Sequence, residues 1–264
     1  MSKIQLIIAV VMAAFSLFSY FGSSTVNPVT GEKQRLGSIT PQQEVQMGLQ
    51  AAREMAAQMG GLTQNVQARD LVARVGGRLA QSPMARQSGY PYRFHVLADN
   101  RTVNAFALPG GQIFITIALL SRLETEGQLA AVLAHEIGHV IARHSAERIA
   151  KSQVAQGLTG AFAIGTGSME AAQVSSMVSQ MLMLKYSRED EYEADDLGLR
   201  VMSEARYDPR AMIGVMRILE RASGGGGRIP EWASTHPYVG NRISRIEETL
   251  RGRYPQGIPG GLTP

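Results

Sequence analysis

The chain has 264 residues, 44% of them hydrophobic, which is enough to bury a real core and makes one domain with appendages the default. Its net charge of +4 and pI near 9.5 come from Lys and Arg dispersed along the chain, without the dense basic runs and interleaved aromatics of a nucleic-acid surface, so nucleic acid is excluded as a partner. There is no cysteine, so disulfides and thiolate metal sites are excluded, and any metal must be held by His, Asp or Glu.

Lys3 precedes an apolar run over residues 4–22, broken only by Gln5, Ser16, Ser19 and Tyr20. A charge followed by such a run reads as a secretory signal, cut at Gly22-Ser23-Ser24, or as an uncut membrane anchor; a buried helix of the core is the third reading. Lys3 favours the cytosolic side and sends the rest of the chain across. Residues 1–24 are therefore expected to be signal or anchor, 25–40 a polar linker, 41–254 the folded domain, and 255–264 a mobile Pro/Gly-rich tail.

Thr40 as N-cap, Pro41 at the first helical position and Gln43 completing a capping box predict a helix over 44–59, closed by Gly60-Gly61. A second helix is expected over about 65–80. Residues 92–98 and 112–117 alternate or are β-branched, with Leu108-Pro109-Gly110-Gly111 as a turn between them, which predicts two strands of a small sheet. Residues 127–149 read as one helix apolar nearly all round, hence buried. Further helices are expected over about 172–205, from Asp208-Pro209 onward, and over about 239–251, with residues 224–227 a flexible glycine loop. No internal repeat is present.

The chemistry is carried by His135-Glu136-Ile137-Gly138-His139, an HExxH motif in the middle of the buried helix. Residues four apart share a helix face, so both imidazoles converge on one point, as zinc requires, with Glu136 beside it as general base for a water that the metal has made acidic. The alternative is a structural His pair, which burial disfavours because unpaired imidazoles and a carboxylate are costly inside an apolar helix. A third ligand is missing locally. On one continuous helix His144 lies about 180° round from His135 and Glu147 two turns beyond His139. Ala142 and Ser145 also stand where HExxHxxGxxH needs Gly and His.

The acidic cluster at 189–196 splits when turned at about 100° per residue. Glu189, Glu193, Asp196 and Arg200 make a charged face, while Glu191 and Asp195 share the opposite side with Ala194, Gly198, Val201 and Met202. Glu191 as third ligand and Asp195 as acceptor for a ligand histidine N–H give both acids a partner. A wholly solvated cluster is the alternative.

Five segments carry a family resemblance: Asn27-Pro28-Val29-Thr30-Gly31, 104–111 (NAFALPGG), 135–140 (HEIGHV), 187–195 (SREDEYEAD) and 234–243 (STHPYVGNRI). Together they resemble the gluzincin family of HtpX-like and CAAX prenyl endopeptidases, especially its soluble exported bacterial members, over about residues 27–250. The resemblance implies an α+β, predominantly α-helical zincin-type metallopeptidase domain with a small β-sheet. It implies one Zn²⁺ per chain on His135, His139 and Glu191, catalysis by Glu136, and support from Asp195. His236 matches a histidine that approaches the metal, as a removable fourth ligand or an oxyanion stabiliser. Arg242 matches an arginine that holds substrate or the oxyanion, or locks the His236 loop. Asn104, Ala105, Phe106 and Ala107 are expected on an edge strand that pairs with an extended peptide; a plain hairpin turn is the alternative.

These readings converge on a zinc endopeptidase of unfolded or misassembled envelope proteins in the bacterial periplasm, soluble or anchored. The rivals are a protease-fold chaperone or adaptor whose proteolysis is shut off by His236, and an anchored structural protein with incidental zinc. Residues 151–185 hold one charge between their terminal lysines, Glu170, but too many Gly, Gln and Ser for a good spanning helix, so a core helix pair or a cover over the site is expected there rather than membrane insertion.

Overall fold

A computed structural model describes residues 3–166, 185–224, 231–236 and 242–264. The elements run α1 (Lys3–Phe21), β1 (Thr25–Val26), β2 (Lys33–Gln34), α2 (Pro41–Gln58), α3 (Val66–Ala80), α4 (Pro83–Gln87), β3 (Arg93–Leu97), β4 (Ala105–Leu108) and β5 (Gln112–Thr116). They continue with α5 (Ile117–Leu120), α6 (Glu126–Ile141), α7 (His144–Thr166), α8 (Arg188–Glu204), α9 (Ala211–Gly224), α10 (Glu231–Thr235) and α11 (Arg242–Arg253). The architecture is helix-dominated α+β, as the sequence implies.

Helix α6 runs through the centre. Thr125 caps its start by accepting from Gln128 N, and every residue from Gly127 to Ile141 is buried. α8 packs along it, α3 and α9 cover other sides, and β4 lies against it. The sheet has the order β3-β5-β4, with β3 parallel and β4 antiparallel to β5. The edge strand implied at 104–107 is β4, and it, not β3, is the hairpin partner: the Pro109–Gly111 turn joins β4 to β5, and β3 reaches β5 as a parallel neighbour. A Cβ on Gly110, at φ +74°, would sit 2.4 Å from Val45 Cα, so the tight turn and the approach of α2 both require glycine there.

The helix expected over 127–149 is broken. α6 ends with Ala142 as C-cap, and Arg143 takes a left-handed φ of 57° before α7 starts at His144. A buried clamp holds this strained residue: its guanidinium donates to Glu44 Oε1 and, at 3.1 Å, to the Ile39 carbonyl. Residues 25–34, expected to be linker, form a hairpin that caps the same end. Asn27 Nδ2 donates to Ile141 O at 2.8 Å and Gln34 Nε2 to Ala142 O. Those carbonyls have no partner within the helix, and side-chain donors meet that need.

Three other expectations change. α8 begins at Arg188 behind a Ser187–Asp190 capping box, with 185–187 non-helical, while 172–184 lie outside the described residues. Gly224 closes α9 and Arg242 opens the described part of α11, the rest of both expected boundaries lying outside the described residues. The tail expected to be mobile is docked: Asp208 N donates to Thr263 O at 2.8 Å, Thr263 N to Arg206 O at 3.0 Å and Gly127 N to Pro264 O at 2.8 Å.

Helix α1 lies against α7. Ala9 is buried there, with Met12, Ala13, Ser16, Ser19 and Tyr20 half-buried, while Ile4, Ile7, Val10, Val11, Phe15 and Phe18 are exposed. A Cβ on Gly157 of α7 would come within 2.2 Å of Ser16 Oγ.

Candidate metal centre

Ser187 and Asp190 fix the start of α8 by a reciprocal cap, and the 3.6-residue period then turns Glu191, Ala194, Asp195 and Gly198 onto its buried side. Close contact with α6 depends on small residues: a Cβ on Gly138 would lie 2.6 Å from Ala194 O, and one on Gly198 would lie 3.2 Å from His135 N. Across this seam, and from the turn after α10, four groups meet: His135, His139, Glu191 and His236, all buried.

Their facing atoms form a polyhedron. His135 Nε2 is 3.1 Å from His139 Nε2 and 3.3 Å from His236 Nδ1, and the last two are 3.2 Å apart. Glu191 lies 3.0 Å from His236 Nδ1 and 3.6 Å from each of the other two nitrogens. Donors about 2 Å from a tetrahedral zinc stand about 3.3 Å from one another, so this spacing fits the ion. Three imidazole nitrogens and a carboxylate aimed at one dry point also lack enough protons to satisfy each other, which a cation remedies. Among the described residues this is the single cluster that could hold a metal.

The surroundings set the charge. Burial holds the His139 imidazole well below its usual pKa, aided by His135 and His236, so it is neutral and able to ligate. Burial alone would lower His135 too, but its bond to Asp195, Nδ1 to Oδ1 3.0 Å, raises it; the same carboxylate supports the positive charge that a metal brings to the ring. Asp195 is pushed up by burial and pulled down further by Arg242 and His135, to about 2. Glu191 is lowered against its burial, by His236 and Arg242.

Arg242 is fully buried, with Nε 2.8 Å from Asp195 Oδ2, Nη2 2.6 Å from Oδ1 and Nη1 2.9 Å from Glu191 Oε2. The guanidinium thus faces the two carboxylates of α8. Glu136 Oε1 receives Trp232 Nε1–H at 3.4 Å and lies 3.5 Å from His236 Nε2, while its buried Oε2 has no hydrogen-bond partner. Trp232 stacks on His236 and Tyr186 on His139, with ring centroids 4.8 and 3.8 Å apart. Asn104, Phe106, Ala107, Leu108, Tyr186 and His236 line a groove beside the centre; Ala105 does not, and it packs with Ala107 in the core. β4 is an edge strand of its sheet.

Glu147 is remote from the centre, beside Arg35 N at 3.3 Å. His144 is not. The break at Arg143 brings its Nδ1 to 2.9 Å from His139 Nδ1, behind the ligand ring, so the half-turn separation computed on an unbroken helix does not hold. Trp232 and Tyr186 were missed in the sequence; the one available signal was a lone tryptophan four positions, about one helical turn, before His236.

A buried HExxH helix crossed by a second helix that delivers a carboxylate defines a zincin-type metallopeptidase. The chain belongs to peptidase family M48, whose profile matches residues 65–250, and it is a zinc-using metalloendopeptidase. It is 34% identical to the mitochondrial metalloendopeptidase OMA1 of Schizosaccharomyces pombe over 234 residues, 88% of this chain and 68% of that one. It is 29% identical to the beta-barrel assembly-enhancing protease of Yersinia pestis over 216 residues, 78% of this chain and 44% of that one. With the Escherichia coli K12 protein of the same name it shares 31% over 163 residues, 58% of this chain and 33% of the other, so it spans less than half of these bacterial relatives. These relatives support the metallopeptidase family, and not the narrower likeness to HtpX and CAAX prenyl endopeptidases.

Proposed function

We propose that the chain hydrolyses peptide bonds of unfolded or misassembled envelope proteins, with Glu136 as general base. The observation that carries this is the orphaned Oε2 of Glu136, buried beside four converging ligand atoms. His135, His139 and Glu191 would hold a zinc ion, which would supply polarisation of the carbonyl oxygen and a more acidic water. Glu136 takes the proton of the attacking water and returns it to the leaving amine. An extended substrate lies along Asn104, Phe106 and Ala107, its main chain pairing with the open edge of β4, which accepts many sequences. Arg242 holds Glu191 and Asp195 in place and touches no substrate.

Catalytic zinc sites keep three protein ligands and an open position, whereas four protein donors close this polyhedron. His236 therefore withdraws before turnover, which also frees Glu136 from the Nε2 beside it. The same closure favours a second reading, a protease-fold chaperone or adaptor held inactive by His236. Envelope substrates rest on the name of the bacterial relatives, and residence outside the cytosol, anchored by α1, on Lys3 and the apolar helix that follows it. The hairpin on α6 supports a catalytic unit that starts near residue 25, with α1 outside it.

Purified Glu136→Gln is expected to keep one zinc per chain and lose cleavage of an unfolded protein; cleavage at the wild-type rate would rule out this base. His236→Ala should raise cleavage if His236 gates the site. Wild type that binds unfolded protein without cleaving it, with His236→Ala cleaving it, would favour the chaperone held inactive by His236.

A further inference from the structure

His135 and His139 present equivalent Nε2 atoms to the metal centre, but different groups hold them from behind. Behind His135 stands a carboxylate, Asp195. Behind His139 stands another imidazole: His144 Nδ1 is 2.9 Å from His139 Nδ1, and His144 Nε2 is 3.2 Å from Glu193 Oε2. Asp190 Oδ1 is farther from that Nε2, at 3.8 Å. A neutral imidazole that offers its Nε2 lone pair to a metal carries its proton on Nδ1. His139 Nδ1–H must then donate to His144 Nδ1, and His144 keeps its own proton on Nε2, donated to Glu193. No other neutral arrangement gives all three groups a partner while leaving His139 Nε2 free.

We propose that His144 is a positioning residue for the metal ligand His139, anchored in turn by Glu193. Each ligand histidine of α6 is thereby oriented from α8, His135 directly and His139 through one intervening ring. The break between α6 and α7 exists in a form that suits this: Arg143, left-handed and clamped to Glu44, turns His144 back toward the helix it has just left. His144 is buried, which fixes its ring, while Glu193 is half-buried at the seam.

The inference rests on His139 being a metal ligand, and the test separates the two. Zinc affinity is measured on the full chain by competition with a chromogenic chelator, beside circular dichroism of the zinc-free protein. His144→Leu removes the acceptor and should weaken zinc about 10–100-fold, the usual effect of losing a group that orients a ligand. His144→Asn places Oδ1 where Nδ1 stood and should restore most of that affinity, which a packing role would not. If Asn binds no better than Leu in folded chains, or Leu binds as wild type does, the relay is overturned. Should the buried substitutions fail to fold, Glu193→Ala and Glu193→Gln repeat the comparison at the seam: Ala is expected to weaken zinc and Gln, which keeps an acceptor, to retain it. Equal affinities there overturn the relay. A wild-type chain without stoichiometric zinc overturns the metal site itself.

Discussion

Asp195 is held between the Arg242 guanidinium and the His135 ring, in a place where burial alone would favour its neutral form. Its pKa falls from 3.8 to about 2, so its charge stabilises the fold above the unfolded value, and the contribution is lost as pH falls through the folded value. At about 1.4 kcal/mol per unit this amounts to about 2 kcal/mol. The zinc-free protein is therefore expected to lose stability between pH 3.8 and about 2. Denaturant unfolding at several pH values checks this, and Asp195→Asn should flatten the dependence; an equally steep loss in that variant would assign it to other carboxylates. The pairing of Asp195 and Glu191 on one face was legible, because a 3.6-residue period separates buried from exposed acids in any alignment of the helix axis. Arg242 and His236 were visible only as matches to a family pattern, since His236 lies in a turn and Arg242 opens a helix, where no period precedes it. The place of His144 was not legible at all: the residue causing the break, Arg143, is neither Gly nor Asn, and its left-handed conformation depends on Glu44, 99 positions away.

At the scale of elements, the site exists because two helices touch. Ala194 O would be 2.6 Å from a Cβ on Gly138, and that atom is backbone, so no rotamer change relieves the clash. Gly138→Ala must push α8 from α6 and carry Glu191 and Asp195 away with it. A loss of about 1–3 kcal/mol is expected, the usual cost of overpacking, together with weaker zinc binding. Thermal unfolding and zinc titration check both; a Gly138→Ala chain as stable and as zinc-avid as wild type would show that the helices are free to part. At the far end of α6, Asn27→Ala leaves the Ile141 carbonyl without its cap and should cost about 1 kcal/mol. The family segment that includes Asn27 could be recognised in the sequence, yet its task could not, because the carbonyl it serves is 114 positions distant. The same limit applies to the sheet. Residues 112–116 have the continuous apolar, β-branched centre of a buried strand, but only tertiary packing decides that β4 is the hairpin partner and β3 the parallel one.

At the scale of the whole molecule, α1 reverses the pattern of a helix in water. Ala9 and, less fully, Ala13 and Ser16 face α7, while Ile4, Ile7, Val11, Phe15 and Phe18 face outward. Large apolar residues turned outward suit lipid, where burying Leu or Phe against protein gains nothing over acyl chains. The 19 residues of α1 have a mean hydropathy of 2.2 in their most apolar stretch and rise about 28 Å, close to the hydrocarbon thickness of a bilayer. A signal peptide destined for removal has no need of a packed partner, yet α1 lies along α7, with Ser16 against Gly157. The segment is therefore expected to stay attached as an anchor, with Lys3 on the cytosolic side and the metal centre on the other. Mass spectrometry of the N-terminus and carbonate extraction of membranes check this together. Retention of residues 4–22 in a carbonate-resistant chain is the expected result, and a chain that begins after residue 24 and stays in the supernatant would return α1 to the role of a signal. Removing residues 1–22 should release the chain from membranes and leave zinc affinity unchanged, since the hairpin that caps α6 begins beyond the cut, at Thr25.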